Sequence, residues 1–391
     1  MEKIRLRTSN IQRIESGHLW IYSNELSFVP KLEPGTIVEV FTPEGKSLGL
    51  AFFNPHSLIS LRLLKISIVD DVLRTIKFRI YKAKQLREKI FPNENCYRLV
   101  YAESDCLPGL IIDRFSDYFV VQVNSAGMEK FIEKIPPILC ELFPNCKGII
   151  AKNNTHFRKL EGLDTYEKVL YGEIPEEVIV VESGVKYILN FFEAQKTGLF
   201  LDQKLNKRFI RRISSNLRVL DCYSNFGGFA LNSALGGARD VTLVDISDNA
   251  LKYAKKNFEL NGLKNGYFVC SDALEFLRTE YQKEKKYDLV ILDPPSFTKS
   301  KKNVETAIAG YHQINKYAMR VVADNGFLAT ASCSMHIDEP TFLKIIQDVA
   351  FSQKYQLKLI YRGGQAPDHP ILLPMPETRY LKFFVFQVLK G

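Results

Sequence analysis

A chain of 391 residues is too long for one ordinary hydrophobic core, and its 46% hydrophobic and 25% charged residues describe two or three globular domains rather than a disordered polymer. The 53 Lys and Arg against 44 Asp and Glu, a formal net charge of +9, favour polyanionic partners, although the same excess would also serve simply to keep a large surface soluble. Seven cysteines without CxxC or CxxH spacing exclude a disulfide framework and a zinc site, and no signal-peptide core or run of about 18 apolar residues occurs, so a reduced cytoplasmic setting without membrane or metal is expected.

Residues 35–64 read as short extended segments, IVEVF, LGLAFF and LISLRLL, separated by turn residues, so residues 1–70 are expected to form a small β-rich domain. From Val72 to Ile90 the texture changes. Leu73, Ile76, Ile80, Ala83 and Leu86 recur at helical spacing. Strands LIIDRF and YFVVQVN follow, then a helical stretch MEKFIEKIPPILCELF interrupted by Pro136 and Pro137, which makes residues 71–178 a central α+β domain. The acidic segment Gly172 to Glu177 is the expected linker. Residues 179–391 alternate apolar strands (RVLDC, VTLVD, YFVC, YDLVILD, GFLATASC) with helical patterns, the signature of an α/β doubly wound parallel sheet. LKLIYR and YLKFFVFQV close the chain with no helix between them, so the last strand is expected to pair antiparallel.

In this last domain RVLDC runs into the loop SNFGGF, where Gly227 and Gly228 would let backbone approach a ligand closely, or would serve tight packing alone. The loop is not GxGxxG. Asp221 just before the turn suits an ammonium group rather than a pyrophosphate. Asp245 closes the next strand 24 residues beyond Asp221, near the spacing at which a carboxylate accepts both hydroxyls of a cofactor ribose. Asp272 follows the third strand and would either sit by an adenine edge or cap the next helix. At the fourth strand, Asp293, Pro294, Pro295 and Phe297 form a stiff, acceptor-rich mouth suited to a nucleobase.

GFLATASC carries Cys333 to the same sheet edge, beside Asp293 if the fourth and fifth strands are neighbours. A thiolate adds readily to carbon 6 of cytosine, and the resulting enamine makes carbon 5 able to attack a methylsulfonium. Cys96, Cys106, Cys140, Cys146 and Cys270 are better read as inert small hydrophobes, Cys222 as core packing, and His336 as a solvated loop residue.

Together these residues resemble the ribosomal RNA large subunit methyltransferase I family across essentially the whole chain. The strings that carry the resemblance are QKTGLFLDQ (195–203), VLDCYSNFGGFA, DLVILDPPSF, ASCS (331–334) and GQAPDHPI. It implies a PUA-like β-barrel, a central domain and a class I methyltransferase sheet, with S-adenosylmethionine as cofactor and 23S rRNA as partner. By the same resemblance Asp221, Asn225, Gly227 and Gly228 would surround the methionine part of the cofactor, Asp245 its ribose, and Asp272 with Ala273 its adenine. Lys196, Thr197 and Asp202 would lie over that pocket, Asp293 would border it, and the GQAPDHP loop, with Gln365, would line the substrate side. Members with the SCS motif methylate cytosine carbon 5, which agrees with the chemistry argued for Cys333. Ser296 stands where two-cysteine cytosine methyltransferases carry their second cysteine, so adduct release must use another base.

Two other functions fit parts of this pattern. DPPSF resembles the DPPY motif of exocyclic-amine methyltransferases, which need no thiol, but Ser296 intervenes before the aromatic. A non-catalytic RNA-binding scaffold would retain the fold without the chemistry. The basic positions Lys204, Lys207, Arg208 and Arg211 would serve RNA or form an ordinary solvated face. A homodimer is compatible with the sequence, which shows no coiled coil.

Overall fold

A computed structural model describes residues 1–7, 11–66, 71–193, 197–298 and 303–391. The chain divides into two compact units, each drawn from three stretches of sequence. The first holds Met1–Val180, Asn190–Gly198 and Pro367–Thr378; the second holds Val181–Leu189, Leu199–Ala366 and Arg379–Gly391.

Two five-stranded sheets build the first unit. One runs in the order Glu2–Arg5, Thr36–Phe41, Ser47–Phe53, Leu61–Leu63, Trp20–Ile21 and encloses Ile4, Val38, Val40, Phe53 and Leu63. IVEVF and LGLAFF are its central hairpin. The third expected segment shortens to Leu61–Leu63, because Ser57 and Ser60 bond within a turn, Ile59 N to Ser57 Oγ at 3.2 Å and Ser60 Oγ to Ser57 O at 3.1 Å. The other sheet is ordered Tyr166–Gly172, Gly148–Asn153, Tyr118–Val123, Leu110–Phe115, Cys96–Tyr101. Helix Val72–Ile90 buries Ile76, Ile80 and Ala83 with this second sheet's core. The stripe then continues to Arg87, four residues past Ala83, rather than to Leu86, which is exposed. Arg87 is tolerated there because Asp105 accepts from both its terminal nitrogens, at 2.6 and 2.7 Å. The helical stretch is broken where Pro136 and Pro137 stand, since a new helix begins there. Both prolines occupy the first turn of the helix Ile135–Leu142, where an amide hydrogen is not required.

The second unit is organised on a seven-stranded sheet whose strands we label β1 (Arg218–Cys222), β2 (Asp240–Asp245), β3 (Gly266–Cys270), β4 (Tyr287–Leu292), β5 (Val322–Ser332), β6 (Tyr355–Gly364) and β7 (Lys382–Lys390). Their order is β3-β2-β1-β4-β5-β7-β6. The first five are parallel and are linked by helices α2 (Gly228–Leu235), α3 (Asp248–Leu260), α4 (Ala273–Gln282) and α5 (Val304–Val321); α1 (Lys204–Ile213) precedes β1 and α6 (Glu339–Ser352) follows β5. As expected for a connection without a crossover helix, β7 runs antiparallel to both β5 and β6. Strands β1, β4 and β5 are apolar because both faces are covered: Leu220, Val290 and Leu328 have no exposure. Strand order reverses between β1 and β4, so the loops leaving their carboxyl ends part and open a crevice. Among the described residues no helix is long and apolar enough to cross a membrane.

Candidate active site

Three residues of the turn after β1 adopt left-handed backbone: Tyr223 (φ 63°), Asn225 (φ 47°) and Gly227 (φ 83°). That winding returns the chain sharply into α2, with Gly227 N bonded to Ser224 O at 2.8 Å. Gly227 has a second constraint, since a Cβ there would sit 3.3 Å from Leu243 Cδ2 and 3.4 Å from Ala254 Cβ. Replacing Gly227 with Ala is therefore expected to cost about 1–2 kcal/mol of stability, read as a lower urea midpoint with an unchanged slope.

Asp221 lies on β1 between Leu243 and Ile291 of its neighbours and is 1% exposed. One carboxylate oxygen accepts from Ala230 N in the first turn of α2 at 2.9 Å, while Oδ1 has no partner among the described residues. Burial pushes its pKa well above the usual carboxylate range; the Ala230 amide opposes this, and the charges of Asp293 and Asp245 add to it. Ser224 Oγ, also buried, is likewise unpartnered. Asp245 is held from two sides, by Asn225 N on Oδ2 and Ser247 N on Oδ1, both at 2.9 Å, which fixes its plane and leaves lone pairs for further donors. Asp272 is exposed and caps α4 through Glu275 N at 3.0 Å, with Ala273 buried behind it.

Strands β4 and β5 pair in parallel with Leu292 opposite Thr330, so Asp293 and Cys333 both leave the sheet at one edge. Gln203 Nε2 donates to Asp293 Oδ1 at 3.0 Å, and Gln203 Oε1 accepts from Asn206 Nδ2 at 2.6 Å. Pro294 is buried and Pro295 exposed. The Phe297 ring leans on Tyr311 of α5, with centroids 4.6 Å apart. Ser296 Oγ donates to Thr298 O at 2.6 Å and meets Ser334 Oγ at 2.9 Å, and Tyr311 OH reaches the same Ser334 hydroxyl at 3.0 Å. Cys333 is half-buried beside this serine pair, whereas Cys96 and Cys222 are fully buried. Cys270 departs from the expected small hydrophobe: it is exposed. His336 is exposed as well.

Asp202 accepts the Tyr380 hydroxyl at 2.5 Å, and its carbonyl accepts from Ala366 N at 2.8 Å; Gln365 Oε1 accepts from Tyr380 N at 3.2 Å. Asp202 and Gln365 are thereby tied together through Tyr380. Lys196 lies outside the described residues, and Thr197, which is buried, belongs to the stretch 190–198 of the first unit. The GQAPDHP motif is divided in the same way, because Pro367–Thr378 folds with the first unit, where Asp368 Oδ2 accepts from Arg98 N.

The basic positions of α1 form neither an RNA face nor a solvated one. Lys204 and Lys207 are buried, Lys207 pairs with Glu182 at 2.8 Å, Arg208 donates to Ser183 Oγ at 2.8 Å, and Arg211 grips Asn232 Oδ1 at 2.7 and 3.0 Å. Those cations hold α1 to its neighbours. Gln203, Tyr380 and Lys382 belong to the site although motif reasoning passed over them. Two signals were available: Gln203 closes the string QKTGLFLDQ, and Lys382 is the lone charge in YLKFFVFQV.

Comparison with known proteins extends this picture. A family model described as S-adenosylmethionine-dependent methyltransferase matches residues 156–383, and a PUA-like domain model matches residues 4–65. Proteins named ribosomal RNA large subunit methyltransferase I are 37% identical in Pseudoalteromonas atlantica, over 99% of both chains, and 38% identical in Vibrio cholerae, over 95% of this chain and 96% of that one. The chain belongs to this family. Solved structures carry the same fold. A SAM-dependent methyltransferase from Streptococcus mutans superposes with a TM-score of 0.84 at 21% identity, and a methyltransferase complexed with SAH with 0.86 at 22%, each over 99% of this chain and 100% of its own. Membership makes S-adenosylmethionine the cofactor, and the residues present fit it. A buried carboxylate with one oxygen unpartnered among the described residues, at the end of β1 beside the turn at Gly227, asks for a cationic ligand.

Proposed function

We propose that this protein methylates large-subunit ribosomal RNA at carbon 5 of a cytosine, through a covalent adduct with Cys333. The observation that carries the reading is the pairing of β4 with β5, whose ends bring Asp293 and Cys333 to the edge that also holds Asp221 and Asp245. The activity printed in the names of the family's members supports the substrate class.

In this reading Asp221 receives the ammonium group of the cofactor, Asn225, Gly227 and Gly228 close around its methionine part, Asp245 takes the ribose hydroxyls, and Asp272 with Ala273 borders the adenine. Asp202 belongs to the same binding set. S-adenosylmethionine supplies an electrophilic methyl group when bound. Pro294, Pro295, Phe297 and Gln365 receive the target base, which must leave its stack to reach them. Cys333 adds to carbon 6, and electron density moves onto the base edge and into carbon 5. Asp293, held by Gln203, lies at that edge, where its carboxylic acid form would pass a proton to the base as the charge collects. An exocyclic-amine methyltransferase would have no use for a half-buried thiol at this edge.

Mapping 5-methylcytosine in large-subunit rRNA tests the reading. Cells lacking the gene should lose one methylated cytosine that the wild-type gene restores. An unchanged cytosine map, or loss of a methylated exocyclic amine instead, would contradict it.

A further inference from the structure

Lys382 is the buried first residue of β7, and the four residues after it, Phe383, Phe384, Val385 and Phe386, are all apolar. It sits on β7 directly opposite Ser332, the last residue of β5, and is 5% exposed. Its ammonium nitrogen donates to Ser334 O at 2.6 Å and to Tyr380 O at 2.8 Å. Two carbonyls thus occupy two of the three positions on Nζ, and among the described residues the third has no hydrogen-bond partner. The anchor is specific. Ser334 is the residue after Cys333, so the amine is tied to the turn that presents the thiol.

Burying an ammonium group for two neutral carbonyls is costly, and a strand needing only an apolar side chain would carry Leu or Val there. The pKa of Lys382 falls accordingly to about 8, chiefly through burial. Cys333 opposes that fall more than any other group; Asp338 and Glu339 oppose it less, and Arg379 reinforces it. Glu339 is itself neutralised by ion pairs with Arg362 and Arg379. The bond to Ser334 O keeps the amine beside the turn that carries Cys333.

We infer that Lys382 is the positioning residue whose charge, tied to the turn after Cys333, holds the thiolate of Cys333 ready for addition. In this step the S–H bond breaks with its proton passing to water, the ammonium of Lys382 offsets the charge left on sulfur, and the sulfur electron pair makes the bond to carbon 6 of the base. When the adduct breaks down, sulfur departs with that pair and meets the same ammonium. The two serines beside Cys333 cannot take this part, since a hydroxyl carries no charge at neutral pH to set against a thiolate. The inference rests on the proposed role of Cys333 as nucleophile.

The test is the pH dependence of Cys333 alkylation by iodoacetamide in the full chain, with neither RNA nor methyl donor present. The rate is followed on the Cys333 peptide by mass spectrometry, so the other six cysteines do not interfere. Wild-type Cys333 should titrate below the ordinary thiol value of about 8.5. Lys382→Met should move that titration upward and slow alkylation at pH 7 by about tenfold for each tenfold weakening of the thiol's acidity, and Lys382→Arg, a permanent cation, should restore it. Superimposable wild-type and Lys382→Met profiles overturn the inference. Should Lys382→Met fail to fold, the wild-type profile decides alone, and a thiol titrating at or above about 8.5 overturns it. Because alkylation needs no substrate, a displaced profile upholds the pairing whatever Cys333→Ala does to methylation. An unmoved one overturns it even where Cys333→Ala abolishes methylation.

Discussion

Asp221→Asn is expected to weaken S-adenosylmethionine binding by at least about thirtyfold while making the ligand-free protein more stable. The two effects have one cause. A carboxylate that is 1% exposed, with one oxygen on the Ala230 amide and the other empty, sits beside Asp293 and Asp245 and is therefore a cost to the free fold. Its folded pKa lies above its unfolded value, so it adds stability below the unfolded pKa and loses that contribution as pH rises through the folded one. At neutral pH the buried carboxyl is a burden on the ligand-free fold, and the neutral amide removes it. An increase of about 1 kcal/mol corresponds to a rise in melting temperature of about 2–4 °C in a unit of this size.

A ligand ammonium reverses the balance, because it meets the empty oxygen and favours the ionised form. Losing such a buried charge contact costs about 2–5 kcal/mol. Calorimetry measures the first effect and thermal melting with and without ligand the second; the stabilities of wild type and variant should cross as ligand is added. Binding should also release a proton and tighten as pH rises through the raised pKa of Asp221. Asp221→Asn binding with wild-type affinity would leave the cofactor assignment without its anchor.

Cys333→Ala is expected to lower methyl transfer by about a thousandfold or more, because without sulfur addition carbon 5 of cytosine does not become a nucleophile. Cofactor affinity should stay unchanged, since Asp221, Asp245 and the turn at Gly227 make no bond to the thiol. A variant that binds cofactor and RNA but does not turn over separates chemistry from folding.

The sheet was legible because its strands are either apolar throughout or alternate with long amphipathic helices. Both patterns are local, and β1 to β5 follow from them. The placement of Asp221, Asp245, Asp293 and Cys333 at one edge was legible for a related reason: each lies within one residue of a strand's carboxyl end, and a parallel sheet brings those ends together. Long-range packing was less accessible. The apolar run after His369 places Leu372 and Met375 against the core around Ile4 and Val38, far away in sequence. The cations of α1 looked like a binding surface because their partners, Glu182, Ser183 and Asn232, lie in other elements. Asp272 satisfies α4 as a cap, one of its two expected roles, while Gln203 gained a role only when α1 brought it to Asp293.

Trapping the adduct tests the central claim most directly. In RNA carrying 5-fluorocytosine, methyl transfer leaves fluorine on carbon 5 where a proton would be removed, so the sulfur bond to carbon 6 cannot be released. Wild-type protein incubated with such rRNA and S-adenosylmethionine should give a denaturation-resistant protein–RNA band, and digestion should leave the modified nucleotide on the Cys333 peptide. Absence of that band from an active preparation, or an equal band from Cys333→Ala, would contradict covalent catalysis by Cys333.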